Sequence, residues 1–334
     1  MDYLNALVAF LNFVVVPALS YGSQLAIGAL GVTLIFGILR FSNFAWGDTM
    51  AFGTTLVILL TWWFQSMGIS AGPLPTALLA LPLAFVGTAA LMLLTDTWVY
   101  KFYRKQKAKP IILVIVSAGV MFIMNGMVRL IIGTEEQNFS DGARFVLSAQ
   151  EFKAWTGLAE GLAIKTTTAV TLVAALATMA ALFWFLQKTR TGKSMRAFSD
   201  NEDLALLSGI NPDRVVQVTW IIAAALAVMA GTLYGLDKSF RPFVYFSMLL
   251  PIFAAAVVGG LGSPMGAVAG GFVVAFSEIV VTYAWKKVLG YLLPAEWAPT
   301  SLMQLLSTDY KFAVSFSILI IVLLFMPTGL FKGK

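Results

Sequence analysis

The sequence predicts an all-α integral membrane protein with nine to ten transmembrane or re-entrant helices and glycine-rich breaks among them. Three observations predict it. Of 334 residues, 59% are hydrophobic and 11% charged, whereas a soluble domain carries about 25% charged residues. The charged residues leave long uncharged runs at 3–39, 49–95, 110–128, 166–187, 215–236, 242–277 and 312–331. A helix needs about 20 apolar residues to cross ~30 Å of hydrocarbon, so the longer runs hold two crossings each. Backbone groups in lipid must be paired within their own segment, which selects helices, and the short alternating segments of a membrane barrel are absent.

In the first run, Pro17 and Tyr21-Gly22-Ser23 interrupt the apolar pattern. A span is expected over 24–39, and residues 4–20 either cross separately or lie as a re-entrant or interfacial helix. Asp2 and the lack of a basic leader argue against a signal peptide. Spans follow at 46–66 and 74–96. Lys101, Arg104, Lys105, Lys107 and Lys109 then form an acid-free loop, expected on the cytoplasmic side with Arg40. Parity from that loop takes 111–132 outward, leaves 134–165 outside, returns over 166–187 and puts 188–214 inside. The 215–236 span leads to a short outer turn, and 244–260 and 264–284 are separated by an inner-side turn at Gly259-Gly260-Leu261-Gly262-Ser263-Pro264. Residues 286–310 are outside, and 311–327 brings Lys332 and Lys334 in. Segment 134–165 holds five acids against three bases, in keeping with an outer position. Tryptophans such as Trp62, Trp63, Trp155, Trp285 and Trp297 read as interfacial anchors. Residues 1–334 thus form a single transmembrane domain.

The loop 188–214 is the most charged part, with five basic and four acidic residues between two apolar spans. Ser199 and Glu202 have the spacing of a capping box. Leu204 and Leu207 give the following helix an apolar edge, and Gly209 is placed to end it in a left-handed conformation. Asn211-Pro212 caps and starts the next helix. A capped, amphipathic element between two spans is suited to meeting another protein, so a coupling role is expected. The alternative is a solvated connector.

Further motifs narrow the chemistry. Gly262, Gly266 and Gly270 form successive G-x-x-x-G units which, with Gly259 and Gly260, either pack helices closely or break a helix beside a transport path. Asn43, Phe44, Trp46 and Asp48 place polar groups between two apolar runs. Because an aspartate at mid-span is unfavourable by about 2.5–3.5 kcal/mol, Asp48 belongs at a helix start, an interface or a water-facing path. Arg129 is expected to snorkel, Asn125 to bond between helices, and Glu278 to be an interfacial acid near the outer end of its span. With no cysteine and no histidine, thiol chemistry and His- or Cys-based metal sites are excluded. Thr191-Gly192-Lys193-Ser194 is not a P-loop, since Gln187 stands where that motif needs glycine. The net charge of +6 lies in membrane-flanking loops, so nucleic acid is not an expected partner.

Three segments resemble the branched-chain amino acid ABC-transporter permeases of the LivH type. They are Gly31-Val32-Thr33-Leu34-Ile35-Phe36-Gly37 with Asn43-Phe44-Ala45 and Gly47, then Gly192, Met195-Arg196-Ala197, Ala205 and Gly209-Ile210-Asn211, then Gly259-Gly260-Leu261-Gly262-Ser263 with Gly266-Ala267. They occur in the family's order and cover most of the chain. One departure is Trp46, where the family often has histidine. The resemblance implies a multi-pass permease of a bacterial inner membrane, embedded in membrane lipid and without cofactor or enzymatic activity. Its implied partners are a second related permease, two cytoplasmic ATPase subunits and a periplasmic substrate-binding protein. Gly192, Arg196, Ala197, Ser199, Glu202, Leu204, Leu207 and Gly209 are the coupling candidates. Asn43, Phe44, Trp46, Asp48, Gly259, Gly260 and Gly262 are the path candidates. Urea or short amides remain alternative solutes, and an ion-coupled secondary transporter is the alternative class.

Overall fold

The computed structural model describes residues 2–293, 301, 303–326 and 328–331. Trp297, Lys332 and Lys334 lie outside the described residues. The helices are α1 (Asp2–Leu39), α2 (Trp46–Ser66), α3 (Ala77–Lys105), α4 (Pro110–Ile132), α5 (Ala149–Thr156), α6 (Thr166–Lys188), α7 (Arg190–Asp200), α8 (Glu202–Leu207), α9 (Pro212–Lys238), α10 (Pro242–Gly259), α11 (Pro264–Thr282), α12 (Lys286–Leu292) and α13 (Lys311–Phe325). Eight helices among the described residues are long and apolar enough to cross a membrane. α2 is not one of these eight but is packed between them, against α9 and α3. It is less apolar because it is buried and threonine-rich, and Thr49, Thr54, Thr55 and Thr61 each return their hydroxyl to a carbonyl one turn back at 2.7–2.9 Å. A short antiparallel pair, β1 (Phe145–Leu147) with β2 (Ile164–Lys165), closes the long segment before α6.

The structure corrects one expectation about the start. Residues 4–20 are neither a separate crossing nor a re-entrant helix, because Asp2 to Leu39 is one helix of 38 residues. Pro17 lacks the N–H of a normal helical turn, and the widened turn Leu11–Val15, closed by Val16 N–H on the Leu11 carbonyl, lets the rod continue. At 1.5 Å per residue α1 is about 57 Å long, against ~30 Å of hydrocarbon. The excess is held by two amides one heptad apart. Asn5 Oδ1 accepts from Ala159 N–H at 3.1 Å and Glu160 N–H at 3.2 Å, and Asn12 Oδ1 accepts from Ala163 N–H at 2.9 Å.

Contacts gather the loops at two ends. Arg40 donates to the Ser199 carbonyl, Lys101 pairs with Asp213 at 3.0 Å, and Phe331 N–H bonds the Gly259 carbonyl at 3.1 Å. This is the basic end. At the opposite end Asp141 accepts from Gln65 and from Thr76 N–H, Arg241 pairs with Glu136, and Lys287 pairs with Glu160 at 2.8 Å. Hydrogen bonds from Ser239 and then Arg241 hold the Glu136 carboxyl below the usual carboxylate range. α1 runs through the centre, with α9, α10, α11 and α6 around it, and α2–α4 complete the bundle through α9. The outer faces stay apolar, as Phe122, Leu130 and Leu324 illustrate.

Candidate functional site

The segment between α1 and α2 is where the backbone leaves helical geometry inside the bundle. Arg40 ends α1 in a left-handed conformation (φ 57°), and the chain turns back along the helix it has just left. Trp46, the first residue of α2, lies over Gly31, where an added Cβ would stand 2.1 Å from the indole. Gly31 precedes Leu39 by eight residues, so α2 starts about 12 Å in from the end of α1. Non-helical backbone at that depth needs partners from protein. Asn43 Oδ1 accepts from Ala45 N–H at 3.1 Å and from Tyr100 OH at 3.3 Å, and Phe44 N–H donates to Ser117 Oγ at 3.1 Å.

A polar layer surrounds this entry. Asp48 lies in the first turn of α2, where the helix dipole favours an acid. Asn125 Nδ2 donates to its Oδ1 at 2.7 Å, while Oδ2 is buried without a partner. Asp96, in the widened turn Asp96–Tyr100 of α3, accepts from Trp220 Nε1 at 2.7 Å and from Arg104 Nη2 at 3.0 Å. Tyr100 stacks on Trp220 with centroids 5.3 Å apart and tilts against Phe41 at 5.4 Å. The space left between Asn43, Thr49, Tyr100, Met124 and Trp220 is ≈10 Å³, about one water at most. No solute passes here in this conformation. Of the four path candidates in this segment Asn43, Trp46 and Asp48 are buried, and Phe44 reaches the surface, 40% exposed with its ring 5.8 Å from Phe253.

Gly259, Gly260 and Gly262 do not join that layer. They sit at the turn of the basic end, where Gly260 (φ 102°) and Gly262 (φ 88°) need left-handed freedom. An added Cβ on Gly259 would lie 2.0 Å from the Gly266 carbonyl oxygen, and one on Gly270 would lie 2.0 Å from the Ala255 oxygen. α10 and α11 therefore cross in backbone contact.

In the 188–214 loop, Ser199 is not a helix cap and forms no box with Glu202. It lies inside α7 and its hydroxyl donates to the Gly37 carbonyl at 3.1 Å, so the cap of α8 is Asn201, whose Oδ1 accepts from Leu204 N–H at 3.0 Å. Asparagine is among the best N-caps, and it leaves Glu202 in the first turn rather than at the position that closes a box. Gly192 fits the α6–α7 corner, where a Cβ would stand 2.2 Å from the Phe185 oxygen. Arg196 and Ala197 are exposed on α7 and, with Ser199 and Gly262, line a cavity at the basic end. Leu204 and Leu207 are 60% and 84% exposed, Gly209 has φ 80°, and Asn211 caps α9.

A second buried cluster escaped sequence reasoning. Glu278 is not interfacial but wholly buried. Ser315 donates to it, Lys311 Nζ stands 3.6 Å away, and the same ammonium lies 3.5 Å from the Tyr21 ring centroid. The signal was Lys311, a lone cation at the edge of the last apolar run. Among the described residues no group of acids could hold a metal ion.

The family described as branched-chain amino acid transport system / permease component matches residues 14–323. The high-affinity branched-chain amino acid transport system permease protein LivH of Salmonella typhimurium is 31% identical over 316 residues, covering 92% of this chain and 91% of the relative. BraD of Pseudomonas aeruginosa, a permease protein of the same description, is 26% identical over 94% of each chain. A probable branched-chain amino acid transport permease protein LivH of Methanocaldococcus jannaschii is 27% identical over 82% of each. The match runs from the outer third of α1 into α13, and so takes in the α1–α2 entry, the 188–214 loop and the glycine crossing together. This chain belongs to the family of permease components of branched-chain amino acid transport systems, as a multi-pass inner-membrane protein.

Proposed function

We propose that this permease carries branched-chain amino acids and that ATP hydrolysed on two separate cytoplasmic subunits drives it. A second related permease completes the pathway, and a periplasmic binding protein delivers the solute. The basic end is the cytoplasmic end by its lysine and arginine content. The observation that carries the reading is α8, a six-residue helix between two membrane helices, capped by Asn201 and closed by Gly209, with Leu204 and Leu207 facing outward. Exposed leucines on a fixed helix suit a groove on another protein. The names of the relatives supply the solute class.

The test is reconstitution with the co-purified subunits. Leucine-loaded binding protein is expected to stimulate ATP hydrolysis, and Leu207→Asp to cut that stimulation at least tenfold while membrane insertion stays normal. ATP hydrolysis by the isolated chain, or leucine uptake by it alone as in a secondary carrier, refutes the reading. Urea or a short amide stimulating in place of leucine refutes the solute assignment.

The translocation path lies along the surface where Phe44 meets Phe253, at the junction with the second permease. In a chain without cysteine, Phe44→Cys is expected to react with a water-soluble thiol reagent at a rate that changes several-fold when ATP is added. Trp46→Cys and Asp48→Cys are expected to stay protected without ATP. Inertness of Phe44→Cys in both conditions places the path elsewhere.

A further inference from the structure

We propose that the cavity at the basic end binds the phosphoethanolamine headgroup of a phospholipid in the adjoining leaflet. The cavity, ≈540 Å³, lies between the last turns of α1, the face of α7 and the start of α11. One of the residues lining it is Thr33, 1% exposed, whose hydroxyl has no partner. The four α2 threonines Thr49, Thr54, Thr55 and Thr61 return their hydroxyls to a carbonyl one turn back. Thr33 does not; its hydroxyl lies sealed in the cavity wall without an acceptor, and a χ1 rotation would present it to whatever fills the space. Thr33 precedes Leu39 by six residues, about 9 Å in from the helix end.

The lining is graded. Leu34, Ile38 and Leu186 are apolar, whereas α7 contributes Lys193, Arg196 and Asp200, spaced to share one helix face. Arg196 and Asp200 are one turn apart, yet neither forms an ion pair within 4 Å among the described residues. Two cations and one acid beside an apolar wall match a zwitterion that carries hydrocarbon. The phosphate faces Lys193, Arg196 and the positive end of α11 at Pro264. The ammonium faces Asp200, an ester oxygen takes the Thr33 hydroxyl, and an acyl chain runs along Leu34 and Leu186. A purely anionic headgroup would leave Asp200 without a counter-charge, and a soluble amino acid would leave much of the apolar wall uncovered. Basic pockets between membrane helices on the cytoplasmic side are a recurring place for headgroups.

The test is native mass spectrometry of the full chain, purified in mild detergent and offered equal amounts of phosphatidylethanolamine, phosphatidylcholine and phosphatidylglycerol. Phosphatidylethanolamine is expected to be retained at least fivefold over the other two. Thr33→Val and Asp200→Asn are each expected to lower its retention at least threefold, and Thr33→Ser to preserve it, which separates loss of the hydroxyl from loss of the fold. Equal retention of the three lipids, preference for phosphatidylglycerol, or wild-type retention in both variants overturns the proposal. Displacement of the lipid by millimolar leucine also overturns it, because the cavity would then belong to a soluble solute.

Discussion

Valine in place of Gly270 is expected to keep the protein from accumulating in folded form in the membrane. A Cβ at this position would lie 2.0 Å from the Ala255 oxygen and 2.9 Å from the Gly259 nitrogen. Both atoms are backbone, so no rotamer change relieves the overlap and α10 and α11 must part. Overpacking of a fitted interior destabilises by about 1–3 kcal/mol and occasionally more. Here parting also loosens the seats of Gly259 and Gly266 in the same crossing, which puts the effect at or above about 3 kcal/mol. Gly126→Ala is the matched control, since nothing lies within 4 Å of its added Cβ. Alanine is favoured over glycine in a helix by up to about 1 kcal/mol. Thermal unfolding followed by size-exclusion in detergent compares the two. A folded, monodisperse Gly270→Val would show that the glycines are not there for packing.

Asp96→Ala is expected to be the most damaging change in the polar layer. It leaves the Trp220 indole N–H and the Arg104 guanidinium without their acceptor, in a site where Asp96 is buried and the Arg104 side chain is 21% exposed. Removing one partner of a buried ion pair costs about 3–5 kcal/mol, and the partial exposure of Arg104 places this case near the lower figure. Asp96→Asn retains an acceptor for the indole and falls between. A double-mutant cycle with Arg104→Ala is expected to give a coupling of about 1 kcal/mol or more, because the second change removes the charge that the first strands. Additive effects would mean that the pair does not act as a unit.

The order of the membrane helices, and their number to within one or two, were legible because hydrophobic runs and basic loops act locally. What the sequence concealed depended on partners far along the chain. Pro17 suggested a break, but a widened turn one step earlier absorbed it, and Asn5 and Asn12 disclosed their role only against residues 159–163. Ser199 and Asn201 both had capping chemistry, and the Gly37 carbonyl, some 160 residues away, decided between them by engaging the serine. Asp48 was recognisable as a helix-start acid, yet Asn125 and the aromatic pair Tyr100–Trp220 come from other helices, so the sealed layer had no signature in any one segment. Gly259, Gly260 and Gly262 were legible as an inner-side turn, and the structure puts them at the basic end; what the sequence did not show is that they lie away from Asn43 and Asp48.

The length of α1 has a mechanical consequence. One end is pinned by Asn5 to the 159–160 turn and the other by Arg40 to Ser199, so a single strut joins the two surfaces of the molecule. Pivoted at one end, a rod of about 57 Å that swings by about 5° sweeps its far tip through about 5 Å, one helical turn. Its one compliant joint is the widened turn Leu11–Val15, close to the tip that carries Asn5. From Ser20 to Leu39 nearly every residue is buried, so that part of the rod resists bending. A rotation of the rod about its Ser199 end would therefore appear at the opposite surface as a displacement, less what the Leu11–Val15 joint takes up.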